Sequence, residues 1–493
     1  MGTRLRDVIR NRAADDPHGQ YLVDARSDRV VHNADLAAAA LRWSRALASH
    51  GVPPGARVLI DVDDPIAFAV VHLSVIAAGR CSAPVSPEAG AAELERARRA
   101  LRPVLVVTDR DGRPGMRVDA ATGMPAVPTN PTPGHAGAVA GSAALLTSGS
   151  TCAPKTVVLS EEQLLHVAGA VARHNRLTPA DRGYNALPLF HINAQVVALL
   201  ATLVSGATLV LESRFHRSGF WERLAAHDVT WLNAVPAVLT ILSRDEIPVL
   251  PPRLRFVRSA SASLAPAVRE LVVAGTGVPL VESYGMTEAA SQITATPLDG
   301  AVRPGSAGRP VDVELQVIGP DGTPCPTGDV GRVRIRGAGV IRSYADGAAA
   351  DRIDAEHWLD TADLGRLDAD GYLYLVGRAD DVVNRGGELI YPREIEEVLL
   401  GEPGVADAVV VGRPDDVLGA VPVACIRTEQ ELADDAGAAL VERLTARCAR
   451  ELARYKRPAD IQLFGAFPLA PTGKVRRTEV RRLVAEDSVA SGR

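Results

Sequence analysis

A hydroxyl-rich loop is the segment of this sequence best suited to chemistry. Residues 147–156 read Thr-Ser-Gly-Ser-Thr-Cys-Ala-Pro-Lys-Thr and follow a short apolar strand predicted at 143–146. Hydroxyls, backbone amides, a glycine and a lysine are the groups that hold a polyphosphate. The loop differs from that of the ordinary P-loop NTPases, because Pro154 precedes Lys155 where that motif requires glycine. We expect a phosphate site here; the structural alternative is a polar loop with a stray lysine.

Lysine is scarce in this chain. Lys155, Lys456 and Lys474 are the three lysines among 54 basic residues. Because arginine is used almost everywhere else, each lysine is a candidate for a position that needs a compact ammonium rather than a planar guanidinium. Chance is the alternative for any one of them.

Five further segments follow the loop in order along the chain. They are residues 187–191, 284–288, 361–365, 377–392 and 471–474. Together with the loop, over nearly the whole chain, they resemble the motifs of the adenylate-forming superfamily: phosphate loop, acyl pocket, adenine and magnesium motif, ribose motif, hinge and C-terminal lysine. That superfamily contains acyl-CoA synthetases, adenylation domains of peptide synthetases, and luciferases.

The resemblance implies that ATP, Mg2+ and a carboxylate react at these motifs. Lys474 would bridge the carboxylate and the α-phosphate, Thr287 would donate to the α-phosphate, and Glu288 would hold Mg2+. Positive charge and aligned donors are the largest aid when two anions react. Asp363 would accept from the ribose hydroxyls and Tyr284 would stack on adenine. The full set of candidates for ATP and AMP binding is Thr147, Ser148, Gly149, Ser150, Thr151, Lys155, Ser261, Ala262, Glu282, Ser283, Tyr284, Asp363 and Arg378.

The phosphate loop departs from the family pattern at two positions. Cys152 and Thr156 stand where glycine is usual. Loss of glycine restricts the backbone torsions, so we expect a stiffer loop. No Cys/His partner motif surrounds Cys152, which argues against a cysteine nucleophile.

The resemblance also implies that the C-terminal domain rotates between adenylation and attack by a thiol. Asp380 stands at the hinge position. Gly386, Gly387 and Glu388 would line a tunnel for CoA, and Lys456 is either a contact for a CoA phosphate or a surface lysine.

The acyl-pocket motif argues against an amino acid as substrate. Relatives that activate amino acids carry aspartate after the phenylalanine of this motif, whereas His191 follows Phe190 here. We assign His191 to the pocket or its gate and count it as a catalytic candidate, since no second histidine or cysteine at ligand spacing indicates a metal site. Residues 254–263 resemble the oxalyl-CoA and general acyl-CoA synthetase branch. The pocket candidates are small or mildly polar, although several could be plain core; they are His191, Asn193, Ala194, Val235, Ala260, Gly285 and Met286.

Alternating helices and strands must position these residues. Helices are predicted at 37–48, 66–78 and 161–172, and strands at 57–62, 81–85, 143–146, 207–211, 255–259 and 279–283. This alternation favours an α/β fold with largely parallel sheets. Short strands broken by glycine predict a small β-barrel after residue 305, followed by a small α+β unit. We therefore predict an N-terminal AMP-binding domain at 1–379, with acyl pocket and ATP site, and a mobile C-terminal domain at 380–493, with Lys474.

Composition excludes several classes of function. The 493 residues carry 54 basic and 59 acidic side chains, a formal net charge of −5. This mildly acidic balance does not indicate a nucleic-acid-binding protein. Five cysteines without a Cys-x-x-Cys pair argue against a disulfide framework or a structural zinc site. The first residues lack the apolar core of a secretory signal, and the apolar stretch 196–211 is too short to span a bilayer. We expect a cytoplasmic protein without a nucleic-acid or membrane partner.

Three functions remain open on the sequence. The favoured one is an ATP-dependent carboxylate–CoA ligase, which converts a short, medium or aryl acid to acyl-AMP and then to the CoA thioester. The nearest alternative is an adenylating enzyme with another acceptor, either a carrier protein of secondary metabolism or an amine, as in nitrite-activating diazotases; consumption of CoA separates the two. A non-catalytic nucleotide-binding subunit is the third, and the intact Lys155, Glu288, Asp363 and Lys474 argue against it. We expect a monomer or a homodimer.

Overall fold

The computed structural model describes residues 3–27, 29–111, 115–126, 140–147, 155–300, 303–345, 347, 350–415, 417–428, 430, 432–469 and 475–490. The chain packs as two compact units. Unit 1 contains residues 1–315 and 335–359, and unit 2 contains residues 316–334 and 360–493. The domain boundary predicted at 379 and 380 falls inside unit 2 and stays a prediction.

The helices of unit 1 alternate with its strands. In chain order they are α1 (Leu5–Asp15), α2 (Asn33–Ser49), α3 (Pro65–Ala77), α4 (Ala91–Leu101), α5 (Glu161–His174), α6 (Ala201–Ser205), α7 (Phe220–Ala226), α8 (Pro236–Leu242) and α9 (Pro266–Thr276). A π-helical segment, Ala194–Leu200, runs directly into α6, and 3-10 turns cover Thr287–Ala289 and Ala350–Arg352.

The strands of unit 1 form a six-stranded and a nine-stranded sheet in the described part of the chain. In chain order they are β1 (Gln20–Asp24), β2 (Val30–His32), β3 (Arg57–Asp61), β4 (Cys81–Pro84), β5 (Leu105–Thr108), β6 (Met116–Arg117), β7 (Ser142–Thr147), β8 (Lys155–Ser160), β9 (Arg182–Asn185), β10 (Thr208–Leu211), β11 (Trp231–Ala234), β12 (Phe256–Ser259), β13 (Leu280–Tyr284), β14 (Thr294–Ala295) and β15 (Arg309–Pro310). The strand orders are β6-β5-β3-β4-β7-β8 and β15-β14-β13-β12-β11-β9-β10-β1-β2. From β13 to β1 the larger sheet is parallel, so the carboxyl ends of these strands share one edge.

Local sequence signals fix where several helices begin. Ser160 Oγ accepts from the Gln163 backbone N–H at 3.2 Å, and the Gln163 side chain accepts from the Ser160 N–H at 2.9 Å. This reciprocal pair is a capping box, and it starts α5 at the residue after Ser160. Proline opens α3, α8 and α9, where its missing N–H would have had no partner in the helix.

Two apolar cores cover the faces of the nine-stranded sheet. Successive residues of a strand point to opposite faces, so Trp231 belongs to one core and Leu232 to the other. The larger core contains side chains from both sheets and from α1, α2, α3 and α5, and nearly all of α3 is buried in it. Each fully buried large apolar side chain contributes roughly 1.5–3 kcal/mol relative to exposure.

Unit 2 carries the smaller sheets. The remaining elements are β16 (Glu314–Ile318), β17 (Gly331–Arg336), β18 (Leu359–Leu367), β19 (Leu373–Arg378), β20 (Val383–Arg385), β21 (Glu388–Ile390), α10 (Pro392–Leu400), β22 (Val405–Asp415), β23 (Gly419–Thr428), α11 (Asp434–Glu451), β24 (Asp460–Phe464) and α12 (Arg477–Ala490), with 3-10 turns at Ala379–Asp381 and Arg454–Lys456. The strand orders are β16-β17-β18-β19 and β21-β20-β23-β22, and β24 pairs with β23.

The α/β class predicted from the sequence is confirmed. The predicted helices correspond to α2, α3 and α5, and the short strands predicted after residue 305 are present as β15 to β19. Where the sequence predicted a small β-barrel, β16 to β19 form a four-stranded sheet and β15 joins the nine-stranded sheet. The Pro/Gly-rich stretch 111–141 packs in part on the core of unit 1. Met116 lies in edge strand β6, paired to β5, and Met116 and Val118 are buried because these apolar residues pack on the core.

Candidate active site

The ends of β7 and β8 frame the predicted phosphate loop. Thr147 and Lys155 are paired residues of this antiparallel hairpin, and Thr147 Oγ1 lies 3.4 Å from the Lys155 carbonyl oxygen. Lys155 Nζ lies 5.4 Å from the centroid of the Tyr344 ring, within the range of a cation–π contact. Four other candidates of this loop lie outside the described residues, together with Cys152; they are Ser148, Gly149, Ser150 and Thr151.

The predicted magnesium carboxylate, Glu288, is buried in a polar cluster. The Tyr344 hydroxyl donates to Glu288 Oε1 at 2.9 Å, and Arg352 Nη1 donates to the Tyr344 hydroxyl at 3.1 Å. Arg352 also lies 3.9 Å from Glu288 Oε1. Burial raises the pKa of the Tyr344 hydroxyl and the negative charge of Glu288 raises it further, so the tyrosine stays a donor at neutral pH.

Sequence reasoning missed Tyr344 and Arg352. Tyr344 is 56 residues from Glu288 in the chain, and only tertiary packing joins them. The Ile341 N–H also donates to the Glu288 carbonyl at 2.9 Å, so the segment that carries Tyr344 is fastened to the turn of Glu288. A glycine-rich stretch that ends in a lone tyrosine is no specific signal in a single sequence.

The hairpin between β13 and β14 carries Tyr284, Gly285 and Met286. A Cβ at position 285 would lie 1.4 Å from the Ser291 carbonyl oxygen, so only glycine lets the two arms approach. The Ile293 N–H donates to the Tyr284 carbonyl at 2.9 Å and closes the hairpin. Thr287 and Glu288 follow in a 3-10 turn.

The other nucleotide candidates of unit 1 lie at the ends of β12 and β13. Ser261 and Ala262 are exposed after β12, and Ser261 has a φ of +76°, a conformation that costs a non-glycine residue energy and is common at functional sites. Ser283 lies on β13. Glu282 forms an ion pair with Arg269 of α9 at 2.8 Å, a contact that sequence reasoning did not foresee.

The acid-pocket candidates lie near the carboxyl ends of the parallel strands. Asn193 and Ala194 are buried where the π-helical segment begins. They lie two and three residues after His191, which is half-buried against Phe190. The Ala260 N–H donates to the Ala234 carbonyl at 3.2 Å, which brings Ala260 beside the strand end that precedes Val235. Ligands of open α/β sheets bind at this edge.

A row of polar side chains crosses the sheet beneath these residues. Asn185, Asn233 and Arg258 are register neighbours on β9, β11 and β12. Asn233 Nδ2 donates to Asn185 Oδ1 and to Asn193 Oδ1, each at 3.0 Å. Arg258 Nη1 donates to Asn233 Oδ1 at 3.2 Å, and Arg258 Nη2 to Gln292 Oε1 at 3.0 Å. Neither Arg258 nor Gln292 was among the candidates predicted from the sequence; an arginine inside an apolar strand is the signal that could have identified Arg258.

A cavity elsewhere in unit 1 is not the predicted pocket. It has a volume of about 250 Å3 and lies between α7, α8 and α9, where Trp221, Leu239 and Leu242 line it. None of the candidate residues that the structure describes borders this cavity.

The predicted ribose residues meet in unit 2. Asp363 and Arg378 are register partners on β18 and β19, and Arg378 Nη1 lies 3.1 Å from Asp363 Oδ1. The predicted hinge residue, Asp380, lies in the turn that follows β19. Its neighbour Asp381 lies 3.3 Å from Arg481 of α12, which fastens this turn to the C-terminal helix.

The predicted CoA residues lie close together in unit 2. Gly386 and Gly387 form the two-residue turn between β20 and β21, with φ values of +60° and +96°, a turn that favours glycine at both positions. Glu388 begins β21 and is exposed. Arg385 donates to the Tyr455 carbonyl at 2.8 Å, which joins the turn to the segment that carries Lys456.

Lys456 has a carboxylate partner. Its Nζ lies 2.5 Å from Glu394 Oε1. Burial alone would lower the pKa of this lysine, but the hydrogen bond and the charge of Glu394, with smaller contributions from Tyr455, together raise the pKa, so the ammonium is charged at neutral pH. The other lysine of the C-terminal motif, Lys474, lies outside the described residues.

Glu288 suits a magnesium ion held in part by a substrate. Mg2+ binds through one or two carboxylates together with phosphate oxygens and water. No cluster of three or more His, Cys, Asp or Glu side chains with metal-binding geometry occurs within the described ranges, so an all-protein cage is absent there. Among those same ranges, no helix is long and apolar enough to cross a membrane.

Two family models match the chain. Residues 9–345 match the AMP-binding enzyme family, and residues 394–474 match the AMP-binding enzyme C-terminal domain. The first match alone spans more than half of the chain.

Characterised relatives are similar over nearly the full length. The chain is 36% identical to the sulfoacetate–CoA ligase of Cupriavidus necator, over 97% of each chain. It is 32% identical to the oxalate–CoA ligase of Arabidopsis thaliana, over 90% of each chain. Among solved structures, the o-succinylbenzoate CoA synthetase of Bacillus subtilis in complex with ATP and a magnesium ion aligns with a TM-score of 0.84 at 28% identity, covering 96% of this chain and 99% of that one.

Proposed function

The chain belongs to the AMP-binding enzyme family as an AMP-forming acid–CoA ligase, and we propose that its acid is a short one. Its reaction uses ATP with magnesium and CoA, as in the similar enzymes. The carboxylate oxygen attacks the α-phosphorus, the bond to pyrophosphate breaks, and acyl-AMP forms. The CoA thiol then attacks the acyl carbon, loses its proton, and releases AMP.

The polar wall of the pocket carries the short-acid proposal. Asn193 is buried and receives a hydrogen bond from Asn233 at 3.0 Å, so a polar amide pair lies at this pocket candidate where a long alkyl chain would require an apolar surface. Covering these amides with methylene groups would leave their remaining hydrogen-bonding capacity unpaired, at a cost of about 1–3 kcal/mol per group. The acids in the names of the relatives, sulfoacetate and oxalate, are short as well.

The residues of unit 1 receive distinct roles in the adenylation step. We assign Lys155 to the β- and γ-phosphates, Thr287 to the α-phosphate, and Glu288 to Mg2+. Bound magnesium would neutralise the charge of the leaving pyrophosphate. Tyr344 and Arg352 hold the Glu288 carboxylate in place through the contacts at 2.9 and 3.1 Å and thereby position it for the metal.

The roles in unit 2 are proposals from their motifs. Asp363 accepts from the ribose hydroxyls, and its contact with Arg378 at 3.1 Å supports an ionised, oriented carboxylate. We assign Lys474 to the reacting carboxylate and the α-phosphate, Asp380 to the hinge of a mobile domain at 380–493, and Lys456 to the CoA side. A cytoplasmic location, where ATP and CoA are both available, and a monomer or homodimer are further parts of the proposal.

A chain-length series tests the proposal. The enzyme is incubated with ATP, Mg2+ and labelled pyrophosphate, and acid-dependent exchange is measured with acetate, butyrate, octanoate and laurate, followed by addition of CoA. We expect exchange to be fastest with the shorter acids and CoA thioester to form. Fastest exchange with laurate would refute the short-acid assignment.

A further inference from the structure

Arg258 is a buried cation without a buried anion. It is 1% exposed, and within the described residues no carboxylate forms an ion pair with it. Its two hydrogen bonds go to the neutral amide oxygens of Asn233 and Gln292. A buried charge is costly unless it is paired, so an arginine retained here indicates an anion that completes the site.

Two buried donors beside this charge have no acceptor in the described part of the protein. Arg258 Nε is one, and Gln292 Nε2 is the other. Gln292 is 4% exposed and its Oε1 accepts from Arg258, so the Nε2 of the same amide is a second buried donor near the guanidinium. A cation with two adjacent N–H donors matches a carboxylate, a sulfonate or a similar oxyanion.

The titratable groups that the structure describes around Arg258 supply no counter-ion. His174 is a titratable group near the charge of Arg258. Burial lowers the pKa of His174, and the positive charge of the Arg258 guanidinium lowers it further. Burial lowers the pKa of Arg258 itself to about 9, so the side chain is still charged at neutral pH. The cost of removing this charge from water is therefore borne by the folded protein.

The position of Arg258 links it to both walls of the acid pocket. Asn233, which accepts from Arg258, also donates to Asn193 at 3.0 Å. Gln292 belongs to the hairpin of Gly285, since its Cα lies 3.1 Å from the place a Cβ of residue 285 would take. Arg258 therefore lies behind the predicted pocket, at the strand ends where such folds bind ligands.

We propose that Arg258 and Gln292 form a subsite for a second anionic group on the acid, so that the preferred substrates are short acids with two anionic groups. This rests on the proposed function, because the subsite has meaning only if a short acid occupies the pocket. One group reacts with ATP, and the other is held by the guanidinium and the glutamine amide.

Two substitutions and a control test the subsite. Arg258→Gln removes the charge, and Gln292→Glu supplies an internal carboxylate at the 3.0 Å contact, which neutralises Arg258 without emptying the core. The readout is the ratio of kcat/KM for a dianionic acid to that for a monoanionic acid of similar length: oxalate with acetate, sulfoacetate with propionate, succinate with butyrate. The control, Arg255→Gln, removes an arginine of the same segment that is paired with Asp181 at 2.5 Å.

We expect the wild-type ratio to favour the dianionic acid and to fall by roughly tenfold or more in both variants, the effect of losing one charge-assisted hydrogen bond. Arg255→Gln should leave it unchanged. Oxalate should also raise the melting temperature of the wild type and not of Gln292→Glu, which reports binding without turnover. Turnover of short acids with no preference for dianions, or an unchanged ratio in Gln292→Glu, would overturn the subsite alone. No CoA thioester from any short acid would refute the proposed function, and the subsite with it.

Discussion

The Tyr344 hydroxyl donates to the Glu288 carboxylate across 2.9 Å, and the ring of the same tyrosine lies 5.4 Å from the Lys155 ammonium. One aromatic side chain thus contacts both a carboxylate suited to magnesium and a lysine suited to phosphate. Tyr344 therefore joins the β7–β8 hairpin, which frames the predicted phosphate loop, to the turn that follows β13.

Tyr344→Phe tests the positioning role of this hydroxyl. The loss of one hydrogen bond to a charged group costs about 1.5–3 kcal/mol, so the Mg2+ concentration for half-maximal pyrophosphate release should rise roughly tenfold. KM for the acid should change little. Tyr374→Phe removes a hydroxyl that lies 3.4 Å from Asp368 and serves as the control. An unchanged magnesium dependence in Tyr344→Phe would show that the contact is only structural.

Asp363→Asn tests the ribose assignment. The variant keeps the shape of the side chain and loses the charge that faces Arg378, so we expect KM for ATP to rise roughly 10- to 100-fold while KM for the acid stays constant. The matched control is Asp360→Asn, on the same strand and paired with Arg332 at 2.7 Å. Equal effects of the two variants on KM for ATP would contradict a direct role of Asp363.

Substitutions of the two C-terminal lysines, Lys474 and Lys456, should impair different half-reactions. Lys474→Ala should lower adenylation roughly 100- to 1,000-fold, the size of effect seen when one transition-state donor is removed. Thioester formation from presynthesised acyl-AMP should survive in that variant. Lys456→Ala should do the opposite, with adenylation retained and KM for CoA raised. Pyrophosphate exchange and CoA consumption measure the two steps, and normal exchange in Lys474→Ala would remove its assignment.

The buried His72 should make unit 1 less stable in acid. Burial lowers its pKa to about 3, and Nδ1 lies 2.8 Å from Ser82 Oγ. The unfolded chain has an ordinary histidine pKa of about 6.5, so between these values it binds a proton that the folded chain does not. The stabilisation from neutral His72 is fully present above the pKa of the unfolded chain, and it is lost as the pH falls below that pKa.

Between pH 7.5 and pH 5.5, the free energy of unfolding should fall by about 1.4 kcal/mol more in the wild type than in His72→Gln. Urea unfolding followed by tryptophan fluorescence measures it, because Trp43, Trp221, Trp231 and Trp358 all belong to unit 1. His18→Gln changes an exposed histidine and is the control. Parallel pH dependences of the wild type and His72→Gln would contradict this account.

Local signals in the sequence were sufficient for much of the fold. Ser160 and Gln163 mark the start of α5, and Pro392 marks the start of α10, because caps and proline act within a few residues. Within the apolar stretch 196–211 the sequence predicted only the strand at 207–211, which is present as β10. The stretch divides into a π-helical segment, α6 and β10, since Gly206 in a left-handed conformation ends the helix.

The motifs located the candidate residues but not their partners. Glu288 and Asp363 stand in recognisable segments, whereas Tyr344, Arg352 and Arg258 act through contacts between residues far apart in the chain. Arg258 stands out in the sequence only as an arginine inside an apolar strand, and its meaning comes from burial without a carboxylate partner among the described residues. Such information exists only in the packed structure.

An oxygen-18 experiment tests the central claim that the acid is adenylated and passed to CoA. A short acid labelled in both carboxylate oxygens is incubated with the enzyme, ATP, Mg2+ and CoA. The masses and amounts of AMP and of the CoA thioester are then measured by mass spectrometry. We predict one labelled oxygen in each AMP and one CoA thioester for each AMP. Unlabelled AMP, or labelled AMP with CoA left intact, would contradict the account.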